Sequence, residues 1–344
     1  MTAITEAQAA QQAAQKALHD STYWARSKGT GNHLDMCDRH LTAAIVALTP
    51  APTPTPTGKW AKGGYGLMKL GQAIPADCSK FDLVDVGIWQ VAAVEKLTAT
   101  KRLVYMSIMS CDNRDPVTTG YWYGMSATEL LANKWQVLDT SGNPIMSVSY
   151  PHSMLADVGI KAYQDKLAAN VIGYLQTHHV DGCQFDDVIA QLRGYAWTAE
   201  QQTAVEQLGI ESAQGGLHVP LHMRAHLPLG ATTPKYPTDA SWEAAMVACV
   251  NNVGAQVKAA GFYTMPNVYK AGGQTAEFMV SMKAGSNAPT FEDCFNVPGM
   301  DQTAIKTVLD AGLDAVALVY TPTAANEALM RAVDNGRAIW MTTG

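Results

Sequence analysis

Apolar and polar positions follow two rhythms along most of this chain. Short runs rich in Val, Ile, Leu, Met and aromatic residues predict strands at 64–70, 82–88, 102–109, 182–188, 261–268, 289–295, 315–320 and 338–342. Between them apolar residues return at helical spacing near 89–97, 160–177, 240–260, 301–311 and 323–335. The clearest case is 160–177, where Tyr163, Leu167, Val171 and Tyr174–Leu175 line one face. Eight strands alternating with helices predict a closed (β/α)8 barrel. The sequence stops just after the eighth predicted strand, so the expectation is that the last barrel helix is missing or that amino-terminal helices stand in for it. Two connections, 110–159 and 189–239, are too long for simple crossovers. Both follow strands, which puts them on the carboxy-terminal face of a barrel, where lids and binding loops are found.

The first part of the chain lacks the alternation of strand and helix. Residues 3–20 are rich in Ala and Gln, a helix-favouring composition, and 32–48 places Leu34, Cys37, Leu41, Ile45 and Leu48 on one stripe. At 49–58 Pro alternates with Thr, which permits neither helix nor sheet ladder and predicts a stiff polyproline spacer. The domain reading is therefore a helical attachment or oligomerisation module at 1–48, a linker at 49–58 and the barrel at 59–344.

Composition narrows the partners. A net charge of -6, with charged residues at 16% and no Lys/Arg cluster longer than a pair, argues against nucleic acid or an anionic membrane surface. Apolar content of 47% supports a large core. The 6 cysteines are scattered without zinc spacing, so they predict buried free thiols rather than disulfides or a metal. His218, His222 and His226 recur every four residues, but Pro220 and Pro228 interrupt the segment and no acid accompanies them; no metal or other cofactor is expected. His178–His179 reads as a solvated helix end. Neither a signal peptide nor an apolar run long enough to cross a membrane is found, so no membrane insertion is expected. Nucleotide-binding, serine-hydrolase and zincin motifs are absent.

The chemistry concentrates where the fourth predicted strand closes on two adjacent carboxylates, Asp186 and Asp187. An ionised Asp is costly at the end of an apolar strand unless something needs the charge. Alternation sends Gln184 and Asp186 to one face and Cys183, Phe185 and Asp187 to the other, which selects Asp186 for the barrel axis. The sixth strand offers Glu292 and Asp293, again on opposite faces, and the longer Glu292 is preferred as an acid. Two carboxylates on separate strands of one rim are what glycoside hydrolysis requires. Asp187, Asp293 and Asp157 are further candidates for catalysis or for supporting that pair. Sugar-binding candidates are Asp85, Trp89, Asp112, Asn267 and Tyr269 after the strands, with Trp122 and Tyr123 in the first insertion offering flat faces for a pyranose ring.

The order of these pieces carries a resemblance. Trp135 through Pro144, then Leu155–Ala156–Asp157–Val158–Gly159, a helix containing Tyr163, and Val180–Asp181–Gly182–Cys183–Gln184–Phe185–Asp186–Asp187–Val188 resemble TIM-barrel families assigned to the glycoside hydrolases, distantly similar to alpha-galactosidase and polygalactosaminidase barrels. The likeness covers roughly 64–344. It implies Asp186 as nucleophile or base and Glu292 as acid, with Asp157 and Asn267 at matching polar positions on the rim. This sequence departs from the pattern at Gly159–Ile160–Lys161, at Gln184 and in the Glu292–Asp293 doublet. Barrels joined to short helices by a Pro/Thr spacer are also similar to minor tail proteins of phages that infect actinobacteria. That resemblance implies a virion component that binds, and hydrolyses, a host cell-envelope glycan. Residues 1–48 would contact other tail proteins or a second copy of the chain. The alternative is a structural or receptor-binding tail protein that keeps the sugar groove without the reaction.

Overall fold

The computed structural model describes residues 64–70, 72–95, 97, 100–112, 124–146, 153–190, 192, 233–268, 276–292, 294, 302–320 and 322–343. The expected amino-terminal helices and the Pro/Thr spacer lie outside the described residues, as do His218, His222 and His226.

All eight predicted barrel segments contain a strand of one closed parallel barrel. They are β1 (Tyr65–Lys69), β2 (Leu83–Val86), β3 (Lys101–Ser107), β6 (Gly182–Asp186), β7 (Tyr263–Val268), β8 (Thr290–Phe291), β9 (Ala315–Val319) and β10 (Ala338–Thr342). β3 pairs directly with β6, because β4 (Ser110–Asp112) and β5 (Ser153–Leu155) form a separate antiparallel pair within the first insertion. This is a (β/α)8 TIM barrel. The insertion also carries α2 (Ala127–Ala132), capped by the Ser126 side chain, which accepts from the Glu129 N–H. The hydrophobic pattern did not predict α2 or the β4–β5 pair, since each is too short to establish a period.

Helices cover the barrel much as predicted. α1 (Val91–Val94) follows a 3-10 turn and is shorter than the expected 89–97. α3 (Lys161–Thr177) buries Tyr163, Leu167, Val171 and Leu175, the predicted stripe, and His178 closes it half-exposed, stacked at 4.2 Å on Tyr174. α4 (Asp239–Ala259) begins with reciprocal Thr238 and Ser241 caps and buries Trp242, Met246, Val250, Val253 and Val257. α5 (Ala276–Ser281) is an unpredicted helix, followed by α6 (Gln302–Asp310) and α7 (Ala324–Arg331). Among the described residues no helix is long and apolar enough to cross a membrane. Cys78, Cys111, Cys183, Cys249 and Cys294 are buried, and none of these five is in a disulfide.

One contact is made by backbone alone. A Cβ on Gly254 of α4 would lie 1.9 Å from the Gly285 carbonyl oxygen, and a Cβ on Gly285 would lie 1.8 Å from that of Val250. The two segments can meet only because both positions lack a side chain. Gly254→Ala is therefore expected to destabilise the fold by about 1–3 kcal/mol through overpacking, read as a lowered urea midpoint at unchanged slope; an unchanged midpoint would show that the contact yields freely.

The pairings also set the vertical order of the barrel interior. Stepping from Met68 through Asp85, Leu103, Gly182 and Tyr263 and on round the sheet returns to β1 displaced by eight residues, the shear of a TIM barrel. Inward side chains therefore fall into layers drawn from alternate strands. Leu103, Met265 and Val316 lie low. Above them come Asp85, Gln184, Thr290 and Met341, then Met68, Tyr105, Asn267 and Leu318. The next layer, at the carboxy-terminal mouth, holds Asp186 and Glu292. Cys183, Phe185, Phe291 and Ala317 belong instead to the core between sheet and helices, as strand alternation requires.

Candidate active site

Asp186 and Glu292 enter the same layer from β6 and from the turn directly after β8, with β7 between them. That intervening strand supplies Asn267, whose single Nδ2 donates to both acids, to Asp186 Oδ1 at 2.8 Å and to Glu292 Oε2 at 3.0 Å. Two such bonds to one nitrogen leave the accepting oxygens no more than their sum, 5.8 Å, apart. Each acid has a second donor on its other oxygen. The Tyr105 hydroxyl donates to Asp186 Oδ2, and the Tyr320 hydroxyl donates to Glu292 Oε1 at 2.8 Å.

The fourth strand ends one residue earlier than the alternation argument assumed. Asp187 has φ of 60°, in the left-handed region that an Asp tolerates better than most side chains, so the rule that should send it outward no longer applies. Its Oδ2 accepts from Ser107 at 2.8 Å and from Ser110 at 3.4 Å, which ties the barrel rim to the start of the first insertion. Asp187 thus stands beside the pair. Asp186 keeps a little exposed surface but is enclosed on most sides, and this burial is the first cause that raises its proton affinity well above the ordinary carboxylate range. The negative charges of Asp187 and Glu292 push the same way, against the lowering effect of the Asn267 bond.

Two expected site residues do not join the acids. Asp85, read as a sugar contact, is fully buried at 0% exposure, two layers below the acids, because β2 ends at Val86 and carries only Gly87 up to their level. Asp157 is not joined to the pair. Its Oδ1 accepts from Gly159 N–H at 3.2 Å and from the Tyr236 hydroxyl, and its Oδ2 accepts from Lys235 at 2.6 Å. It pins the turn before α3 to the segment before α4. Trp89 lies in the 3-10 turn after β2 and Asp112 in β4, on the predicted face, with their side chains outside the described residues. Trp122, Tyr123, Tyr269 and Asp293 lie outside the described residues altogether. Among the described residues no group of three His, Cys, Asp or Glu is placed to hold a metal.

Tyr105 and Tyr320 were not singled out in the sequence, although a signal was present. Counting back by twos from Ser107 and reading on by twos from Leu318 puts both tyrosines on the inner face.

Fold and site together define a (β/α)8 barrel with two bridged carboxylates at its carboxy-terminal mouth. No family model and no curated protein matches the sequence. Among solved structures, the chain is similar to Aspergillus fumigatus Ega3 in complex with galactosamine, at 11% identity and TM-score 0.46, over 86% of this chain and 96% of that one. It is similar to a cycloalternan-degrading enzyme from Trueperella pyogenes in complex with cycloalternan, at 10% identity and TM-score 0.46, over 83% of this chain and 42% of that one. It is also similar to an alpha-galactosidase from Lactobacillus brevis, at 9% identity and TM-score 0.40, over 77% of this chain and 33% of that one.

Proposed function

We propose that this protein is a glycoside hydrolase that acts with retention of configuration, with Asp186 as nucleophile and Glu292 as acid and then base. The observation that carries this reading is the Asn267 bridge, which holds the nearer carboxylate oxygens within 5.8 Å. Retaining enzymes space their carboxyl groups about 5–5.5 Å apart, whereas inverting ones need about 6.5–9.5 Å to admit a water. In the first step Asp186 attacks the anomeric carbon as Glu292 gives its proton to the departing oxygen; in the second, Glu292 takes a proton from water, which displaces Asp186. Tyr105 and Asn267 donate to Asp186 and stabilise its charged form.

The substrate we propose is a host cell-envelope polysaccharide, met by a virion whose tail carries the barrel through residues 1–48 and the spacer. The alternation of Pro and Thr at 49–58, a composition suited to a spacer, supports a role in which the barrel is carried by an assembly. The test is to incubate the full chain with polysaccharides from actinobacterial envelopes and with a panel of aryl glycosides, and to follow the first-formed anomer by proton NMR. Release with the anomeric configuration kept is expected. Release with inversion would overturn the double displacement, and binding without release across the panel would establish the receptor-binding alternative.

A further inference from the structure

Below the carboxylates the barrel holds a layer of polar groups that the protein itself does not satisfy. Asp85, Gln184 and Thr290, from β2, β6 and β8, share a layer with Met341, and all three polar residues have 0% exposure. Among the described residues neither end of the Gln184 amide nor the Thr290 hydroxyl has a hydrogen-bond partner, and Asp85 has at most a poorly aligned bond from the Val86 N–H. The layer between them and the acids contains Asn267. Because its nitrogen is committed to Asp186 and Glu292, the planar amide must turn its oxygen away from them, and that oxygen is also buried without a partner.

Leaving a buried polar group unpaired costs about 1–3 kcal/mol. Several in one place would approach the net stability of a whole domain, roughly 5–15 kcal/mol, so something must answer them. The inventory says what. Gln184 presents an N–H2, which a cation cannot pair with, and Thr290 a hydroxyl that both donates and accepts, beside the acceptor oxygens of Gln184 and Asn267. Burial raises the proton affinity of Asp85 well above the usual range and so favours its neutral form, in which it both donates and accepts. Mixed donors and acceptors buried in neighbouring layers are the partners of water, which takes about 2–4 hydrogen bonds each. Met68, Leu103, Met265, Val316, Leu318 and Met341, all buried, occupy the same and adjoining layers.

We propose that Asp85, Gln184 and Thr290 bind a sealed cluster of water beneath the carboxylate pair, and that this water fixes Asn267 in the orientation that bridges Asp186 and Glu292. The three are then positioning residues, acting through Asn267 and never touching a sugar. Their catalytic consequence rests on the function proposed above; the water and its hold on Asn267 do not. Turned over, Asn267 would aim its carbonyl oxygen at two acids. Donation from below to that oxygen is what opposes the flip.

High-resolution crystal structures and side-chain amide NMR of the full chain test this without any substrate. Ordered water touching Asp85, Gln184, Thr290 and Asn267 is expected in wild type. In Gln184→Met and in Thr290→Val at least one water should be lost, and the Asn267 amide resonances should shift and exchange faster with solvent. Thr290→Ser, which keeps the hydroxyl, should restore both. If glycan release is observed, Gln184→Met should lower kcat about 10-fold or more at unchanged KM. No water in wild type, Asn267 resonances that ignore Thr290→Val, or saturable stabilisation by potassium or sodium over tetramethylammonium that Asp85→Asn removes would each overturn the proposal, the last in favour of a cation. Water and NMR shifts as expected, with no hydrolysis of any glycan, would leave the cluster standing and remove only the reading of the pair.

Discussion

Asp186→Asn is expected to slow sugar release by about 10⁴-fold or more while leaving glycan affinity within a few fold of wild type. Asn keeps the shape of the side chain and can still meet Tyr105 and Asn267, but its amide cannot form the bond to the anomeric carbon. Titration calorimetry beside a turnover assay separates the two effects, and an Asn variant that still turns over would remove Asp186 from the chemistry. The same substitution carries a stability prediction. A carboxyl whose proton affinity is raised in the folded state adds stability below the unfolded carboxylate range, and that contribution is lost as pH rises through the elevated folded value. Burial first, then Asp187 and Glu292, raise Asp186 in this direction. At neutral pH the Asn variant is therefore expected to resist urea better than wild type, with the advantage shrinking as pH falls toward 4, roughly the ordinary carboxylate value. An inactive but stabilised protein is the pattern of a group kept for chemistry at the expense of the fold.

Glu292→Gln is expected to give a loss that depends on the leaving group. With a natural sugar leaving group, which must be protonated, turnover should fall about 10²–10⁴-fold. With a dinitrophenyl glycoside, whose leaving group departs without a proton, the first step should survive and the glycosyl-enzyme should accumulate, giving a burst; azide, needing no base, should then restore turnover and return a glycosyl azide of retained configuration. If the burst and azide rescue appear in Asp186→Asn and not here, the roles of the two acids are exchanged. Uniform loss across all leaving groups would mean that Glu292 only shapes the site.

The barrel was legible because each strand carries its own signal. Runs such as Ala315–Val319 are apolar throughout, as strands buried on both faces must be, and their alternation with the Tyr163–Leu175 type of stripe leaves few other topologies. The inward face of Asp186 was legible for the same reason, whereas Asp187, where the strand has ended and φ is 60°, escaped the rule that would have sent it outward. What the sequence hid is vertical position. Asp85 and Asp186 both stand near strand ends, yet the shear of the closed barrel puts one in a sealed layer and the other at the mouth. The Asn267 bridge was hidden too, because it depends on three strands that lie far apart in the chain. Asp157 looked like a rim acid within its motif; its partners Lys235 and Tyr236 come from 78 and 79 residues further on, a pairing no local pattern could announce.

The acids are joined through a strand that lies between β6 and β8, so the span from Asp186 to Glu292 follows the girth of the barrel and the first residue beyond β8, and depends little on the longer loops above. Those loops are then free to be exchanged. A lineage that grafts a new rim onto this cylinder alters what it grips while keeping the same cutting distance, and a designer who swaps the insertions should find that reach and taste change long before the bite does.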